Sequence, residues 1–347
     1  MSEIHSVGVI GAGSFGTAVA NLLAENRHVF LYTRRNEQVE EMNQSRFNAG
    51  QELHQNITAT ADLAGMVKSC YLLFPVVPSQ NFKGLIREMA PYLKPDHILI
   101  HGTKGLAVRK KGWKHMKHHQ VLLPEHVLTM SELIQKESVV VRVGCLAGPN
   151  LSKEIAKGLP AAAVLASRFD EVIHEGQDAL KSNRFHVYGG HDIFGIELAG
   201  VLKNILAIGS GVISGLEFGE NARAMLITKG LSEIIHLAKA MGADVRSFLG
   251  LAGIGDIIAT CSSPTSRNYT VGYRLAKGEN IQQILGSMDE IAEGVNTTRI
   301  ASGLVRNYEL SSPIISTLYK GLYEDLSLPV ALEYLLNYRF SMDVDFL

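Results

Sequence analysis

The feature that most narrows the fold lies near the N-terminus. The run VGVI (7–10) leads into Gly11-Ala12-Gly13-Ser14-Phe15-Gly16, followed by TAVANLLAEN (17–26). Four consecutive apolar residues predict a strand covered on both faces, and the apolar spacing after the glycines predicts a helix. The glycine pattern alone is weak; its place between a strand and a helix gives it meaning. Gly11 permits a tight turn, Gly13 lets backbone approach a pyrophosphate, and Gly16 lets helix and strand pack closely. The helix start then offers unpaired N–H groups and a positive dipole end to phosphates. A dinucleotide is the expected ligand. A ligand-free glycine turn is the competing reading, and the flanking elements disfavour it.

Further apolar runs follow at 29–32 (VFLY), 70–75 (CYLLFP), 97–101 (HILIH), 138–144 (SVVVRVG), 161–166 (AAAVLA) and 185–189 (FHVYG), with helical stretches between them. Alternation of this kind predicts an α/β, doubly wound, Rossmann-type sheet domain. After Gly190 strand-like runs stop. Long amphipathic patterns at 192–216, 221–242, 294–309, 312–325 and 329–338 predict a mostly α-helical C-terminal domain. The expected division is therefore 1–190 for a dinucleotide-binding domain and 191–347 for a helical substrate-binding domain.

Composition excludes several classes. With Lys+Arg 33 against Asp+Glu 34, net charge −1 gives no electrostatic case for a nucleic-acid partner. Hydrophobic residues at 46% rule out general disorder. Three scattered cysteines suggest a reducing compartment rather than a disulfide framework. The first residues lack a signal-peptide pattern, and the 13-residue uncharged stretch Asn204–Leu216 is too short to span a bilayer. A cytoplasmic location without membrane insertion is expected. Val108–His119 is basic and carries His115, His118 and His119; with no carboxylate or Cys beside them, it reads as a solvated surface insertion and no metal is expected.

The second strand ends at Thr33-Arg34-Arg35 rather than at an acidic residue. An Asp or Glu there would bind a ribose 2′-hydroxyl, whereas Arg34 can accommodate a 2′-phosphate, so NADP is favoured with NAD the alternative. Three clusters in the helical half resist a packing explanation. In Glu197–Asn204, Lys203 and Asn204 sit within an apolar helix, which is costly unless they face a polar site; a lysine there is a candidate proton acceptor, against a snorkelling lysine at the core edge. Gly250–Gly255 bring Asp256 to a defined point, unless Asp256 is only a helix cap. Ser266, Arg267 and Asn268 at a helix start suit a phosphate dianion, unless Ser266 is an ordinary N-cap beside a surface arginine.

Taken with VGVIGAGSFGTAVA, HGTKGL, LAGPNLSKEIAKGLP, GIELAGVLKNILAIGSGVISGL, NARAMLITKGLSE, GLAGIGDIIATCSSPTSRNYTVG and AEGVNTTR, the chain closely resembles the NAD(P)-dependent glycerol-3-phosphate dehydrogenases from about residue 5 to about residue 310. The resemblance implies cofactor contacts for Gly11, Gly13, Ser14, Phe15, Gly16, Arg34, Lys104, Ser152, Arg267, Ile291 and Glu293. It implies substrate contacts for Lys104, Gly148, Asn150, Lys203, Asn204, Asp256, Ser266, Arg267 and Asn268, with Lys203 the catalytic proton acceptor. It also allows a homodimer. Asn150 departs from the Ser or Thr of many members, and the chain between Lys104 and Gly148 is longer than the family pattern, with the basic stretch inside the excess.

The implied reaction interconverts sn-glycerol 3-phosphate and dihydroxyacetone phosphate and supplies glycerol 3-phosphate for phospholipid synthesis. Asp256 beside Lys203 would favour the ammonium, while Lys104 and a positive nicotinamide would oppose it. Two rivals remain at this stage. One is a 3-hydroxy-acid dehydrogenase of the same architecture, which would not need Ser-Arg-Asn at a helix start. The other is a non-catalytic dinucleotide-binding regulator, which would not need Lys203 with Asp256.

Overall fold

The computed structural model describes residues 6–338 except 116, 118, 119, 289 and 325. Of the basic stretch, His115 is exposed, and His118 and His119 lie outside the described residues. Among the described residues, no group of three or more His, Cys, Asp or Glu is arranged to hold a metal ion.

An eight-stranded sheet organises the first half: β1 (Val7–Ile10), β2 (Val29–Tyr32), β3 (Ile57–Thr60), β4 (Leu72–Pro75), β5 (Ile98–His101), β6 (Arg142–Ala147), β7 (Ala161–Ser167) and β8 (Phe185–Gly190). The strand order is β3-β2-β1-β4-β5-β6-β7-β8. Every pairing is parallel except β6 with β7. The first six strands follow the doubly wound 3-2-1-4-5-6 order, whose direction reverses between β1 and β4, where such sheets bind ligands beyond the strand ends.

Two details differ from the sequence reading. Strand β3 is ITAT, an edge strand whose alternating threonines gave no apolar run. The run SVVVRVG is offset from β6: Val139 and Val141 are 54% exposed, and the strand instead continues through Cys145 to Ala147. The core on the sheet's faces includes Val9, Leu31, Leu72, Phe74, Ile100 and Leu165, all essentially buried.

The second half is helical. Its site-bearing helices, after α1 (Ser14–Ala24) and α2 (Ser152–Ala156) in the first half, are α3 (Ile193–Gly215), α4 (Gly219–Ala240), α5 (Asp256–Ser262), α6 (Arg267–Ala276), α7 (Glu293–Asn307) and α8 (Pro313–Tyr323). Long, apolar α3 meets the length and composition needed to cross a membrane, yet 94% of its most apolar window is buried inside the protein. It is a core helix. It packs against α6 at glycine distance: a Cβ on Gly211 would lie 2.0 Å from Tyr269 O, and one on Gly272 1.9 Å from Ile208 O.

The chain divides into two compact units. The first runs to Ala107 and resumes at Thr129–Glu197; the second holds Val108–Leu128 and the chain from Leu198 onward. The insertion therefore groups with the helical unit rather than with the sheet that precedes and follows it, and the main division falls a few residues after Gly190. Leu122 N–H donates to Gly303 O at 3.1 Å, Arg306 Nε donates to Gln120 O at 3.1 Å, and Arg299 donates to Lys114 O.

Candidate active site

In the first unit, Gly11 takes φ +120°, a region that L side chains rarely adopt, and a Cβ there would lie 2.8 Å from Val76 O. A Cβ on Gly16 would meet Gly11 O at 1.8 Å, whereas the space beside Gly13 is open. Ser14 is the first residue of α1. Sequence reading missed what braces this loop. Asn48 Nδ2 donates to Ala12 O at 2.9 Å and to Thr17 Oγ1 at 2.7 Å, and Gln51 Nε2 donates to Ser14 O at 2.8 Å. These two residues come from a short hairpin with no recognisable motif, so nothing in the sequence pointed to them.

Phe15 packs beside Gly102, where a Cβ would lie 2.7 Å from the Phe15 ring. Lys104, two residues on, donates from Nζ to Gly148 O at 3.0 Å. Gly148 has φ +127°, and the turn it makes leads into Asn150, which is buried with neither Oδ1 nor Nδ2 hydrogen-bonded. An unsatisfied buried amide costs free energy unless a ligand pairs with it. Ser152 opens α2. Arg34 is 61% exposed and pairs with Glu88 at 3.5 Å. The open space at Gly13, the helix start and the topological reversal beside it fit a dinucleotide's pyrophosphate.

A buried cluster in this unit also escaped the sequence reading. His101 Nε2 lies 2.9 Å from Glu197 Oε1 and 3.1 Å from Ser131 Oγ, and Ser131 N–H donates to the same carboxylate oxygen at 3.1 Å.

In the second unit, Lys203 on α3 is 4% exposed and Asp256 at the start of α5 is 1% exposed. Lys203 Nζ donates to Asp256 Oδ1 at 2.9 Å and also to Thr260 Oγ1; Thr260 in turn donates to Asp256 Oδ1 at 3.0 Å. Lys203 is thus no snorkelling lysine, and Asp256 is no cap, since no side-chain cap bond forms at α5. The residues before it, Leu251–Gly255, form a π-helical turn, a distortion common at functional sites. Thr260 was unassigned in the sequence, although its position four residues after Asp256 on one helix face was a usable signal.

Asn204 Oδ1 accepts from Asn268 Nδ2 at 2.9 Å, and Asn268 Oδ1 accepts from Gly294 N–H at 2.9 Å. Ser266 does serve as the N-cap of α6, accepting from Tyr269 N–H at 3.3 Å. Arg267 is half exposed and pairs with Glu290 at 3.2 Å. Ile291 is partly buried ahead of α7, and Glu293 is that helix's first residue.

The three cysteines are buried and free. Burial pushes the Cys70 and Cys261 thiols up to about 12, in Cys261 despite nearby Lys203, and raises fully buried Cys145 as well.

The NAD-dependent glycerol-3-phosphate dehydrogenase N-terminus model matches residues 6–173, and its C-terminus model matches residues 192–333. Glycerol-3-phosphate dehydrogenase [NAD(P)+] of Saccharophagus degradans is 38% identical over 99% of this chain and 93% of its own. Its counterpart in Ectopseudomonas mendocina is 38% identical over 100% of this chain and 98% of its own. Among solved structures, glycerol-3-phosphate dehydrogenase (gpsA) of Coxiella burnetii superposes with a TM-score of 0.86 at 32% identity, covering 96% of this chain and 99% of that one. The chain belongs to the NAD-dependent glycerol-3-phosphate dehydrogenase family.

Proposed function

We propose that the chain interconverts sn-glycerol 3-phosphate and dihydroxyacetone phosphate with NADP or NAD, and in the reducing direction supplies glycerol 3-phosphate for phospholipid synthesis. The first unit serves as the dinucleotide-binding domain and the helical unit as the substrate domain. The observation that carries the reading is the buried Lys203–Asp256–Thr260 cluster, which holds a lysine amine in place for proton transfer.

Bound NAD(P)H supplies the hydride. The α1 start, with Ser14 and Phe15, holds the dinucleotide, and Arg34 reads its adenosine end. Lys104 and Ser152 are further cofactor contacts, as are Arg267, Ile291 and Glu293, while Lys104, Gly148 and Asn150 are assigned to the substrate. Lys203 as ammonium donates the proton to the substrate's second oxygen during reduction and stabilises the alkoxide forming there; as neutral amine it takes that proton during oxidation. Asp256 and Thr260 hold Nζ in place, and the Asp256 carboxylate favours the ammonium. Ser266, Arg267 and Asn268 are assigned to the phosphate end, whose binding energy aligns the reacting carbon. Three scattered free cysteines fit a reducing, cytoplasmic location.

The test is turnover. Purified protein should oxidise NADPH or NADH with dihydroxyacetone phosphate and reduce the oxidised cofactor with glycerol 3-phosphate. Turnover only of an unphosphorylated 3-hydroxy acid, or of nothing, would refute the reading.

A further inference from the structure

The basic stretch that neither the cofactor site nor the substrate site absorbs belongs to an ordered loop of the helical unit. The base of the loop is closed by Arg109 N–H, which donates to His126 O at 2.8 Å, and by Lys110 Nζ, which donates to Val121 O at 3.3 Å. Its backbone is fastened to α7 at three points. Arg299 donates to Lys114 O, Arg306 Nε to Gln120 O at 3.1 Å, and Leu122 N–H to Gly303 O at 3.1 Å. The Arg299 guanidinium in turn lies over the Tyr323 ring, 3.8 Å from its centroid. Short turns keep the loop compact: a 3₁₀ turn at Trp113–His115, and a second closed by Gln120 N–H donating to Lys117 O at 3.0 Å.

The side chains on this frame are charged and uncompensated. Arg109, Lys111, Lys114 and Lys117 are exposed, and among the described residues none of them forms an ion pair. From Arg109 to Leu123 the sequence holds no Asp or Glu, although the chain as a whole carries a net charge of −1. Apolar groups accompany the charges. Trp113, the only tryptophan of the chain, is partly buried in the 3₁₀ turn. Val121 and Leu123, each 40% exposed, flank the anchored Leu122, which is 1% exposed. Basic heads beside an indole and two exposed aliphatic side chains match a surface that is anionic at its face and apolar just beneath. A nucleic acid would match the charges but would give Val121 and Leu123 nothing apolar to enter.

We propose that this loop docks the protein on anionic lipid bilayers, with Arg109, Lys111, Lys114 and Lys117 meeting the headgroups and Trp113, Val121 and Leu123 entering the interface. Each basic residue near an anionic surface tightens binding by roughly fivefold, so four of them give a reversible attachment and not an anchor. Docking there would release glycerol 3-phosphate beside the membrane whose lipids are built from it. That benefit rests on the proposed reaction; the docking itself does not.

The test uses the full chain and sedimented vesicles of phosphatidylcholine, with or without about 30% phosphatidylglycerol. The protein should sediment with the anionic vesicles only, and return to the supernatant at about 0.5 M salt, where surface charges are screened. Because Trp113 is the only tryptophan, its emission reports on this loop alone. It should shift to the blue on anionic vesicles and be quenched by lipids brominated along the upper acyl chain. Replacing three lysines together (Lys111→Gln, Lys114→Gln and Lys117→Gln) should weaken vesicle binding by about 100-fold, at roughly fivefold per charge. Turnover of dihydroxyacetone phosphate by that variant without vesicles should stay within about twofold of the wild type, since these are surface positions. A protein that ignored both kinds of vesicle, bound both alike, or bound anionic vesicles equally well without the three lysines would overturn the docking. Tight binding of a DNA duplex with no change of Trp113 emission on vesicles would overturn it too, reassigning the patch to polyanions in general. A chain that docks yet does not turn over dihydroxyacetone phosphate would refute the proposed reaction and leave the docking surface standing.

Discussion

Replacing Asp256 by Asn removes one charge from a buried pair and keeps its shape. In the wild type the Lys203 ammonium lies 2.9 Å from Asp256 Oδ1, with both side chains almost wholly buried. At that distance and an effective dielectric constant near 20, the attraction is about 6 kcal/mol. Much of it offsets the cost of removing both charges from water, yet taking away one partner leaves the other charge uncompensated. Lys203 would escape by releasing its proton. Losing part of that attraction on substitution moves down the pH above which the lysine stops donating. The assay is single-turnover reduction of dihydroxyacetone phosphate by NADPH, followed from pH 6 to 10 in both proteins. The variant should lose at least about tenfold in rate at pH 8 and show its alkaline limb at lower pH, with cofactor affinity unchanged. A variant with the wild-type rate and limb would mean that Asp256 does not set the charge of Lys203, and the acid–base assignment would fail with it.

Other substitutions separate the remaining roles. Arg34→Ala should weaken NADPH binding more than NADH binding, since only NADPH carries the 2′-phosphate; equal losses in fluorescence titrations would remove Arg34 from cofactor discrimination. Arg267→Lys keeps a charge but loses the guanidinium fork, so KM for dihydroxyacetone phosphate should rise by about tenfold while a phosphate-free analogue is hardly affected. Glu233 on α4 caps the start of α8, its two oxygens accepting from Ile314 and Ile315 N–H at 2.8 and 2.9 Å. Burial pushes this carboxyl up to about 8 although both N–H groups pull it down. The native carboxyl therefore holds its proton more tightly than the unfolded one, and its contribution to stability is full below the usual carboxylate range and lost as the pH rises toward 8. Urea denaturation should show that slope in the wild type and not in Glu233→Gln, which should also be less stable at pH 5 by about 1–3 kcal/mol because one N–H loses its acceptor. Parallel slopes in the two proteins would refute the assignment.

Local patterns in the sequence were enough for most of the elements. Apolar runs foretold seven of the eight sheet strands, and helical spacing foretold α3, α4, α7 and α8 within a few residues. Strand β3 escaped because an edge strand with one solvated face needs no continuous apolar run. The Val139–Val141 offset arose because periodicity records apolarity and not which segment finds a hydrogen-bonding neighbour. Glycine spacing with its flanking elements marked the dinucleotide loop, but not Asn48 and Gln51, which reach it from another part of the chain.

Costly chemistry in an apolar helix made Lys203 and Asn204 visible as residues that needed partners. Which partners they have was decided by packing. Asp256 and Thr260 lie 53 and 57 positions from Lys203, and Asn268 lies 64 from Asn204. No local pattern encodes a 2.9 Å contact over such separations. The glycines at 211 and 272 were legible as small residues, but their purpose was not, because a close approach belongs to two helices at once. Sequence determines what each segment buries and which groups cannot remain unpaired. Tertiary structure decides which of those groups meet, because hydrogen bonds and ion pairs depend on distances that exist only once the helices have packed.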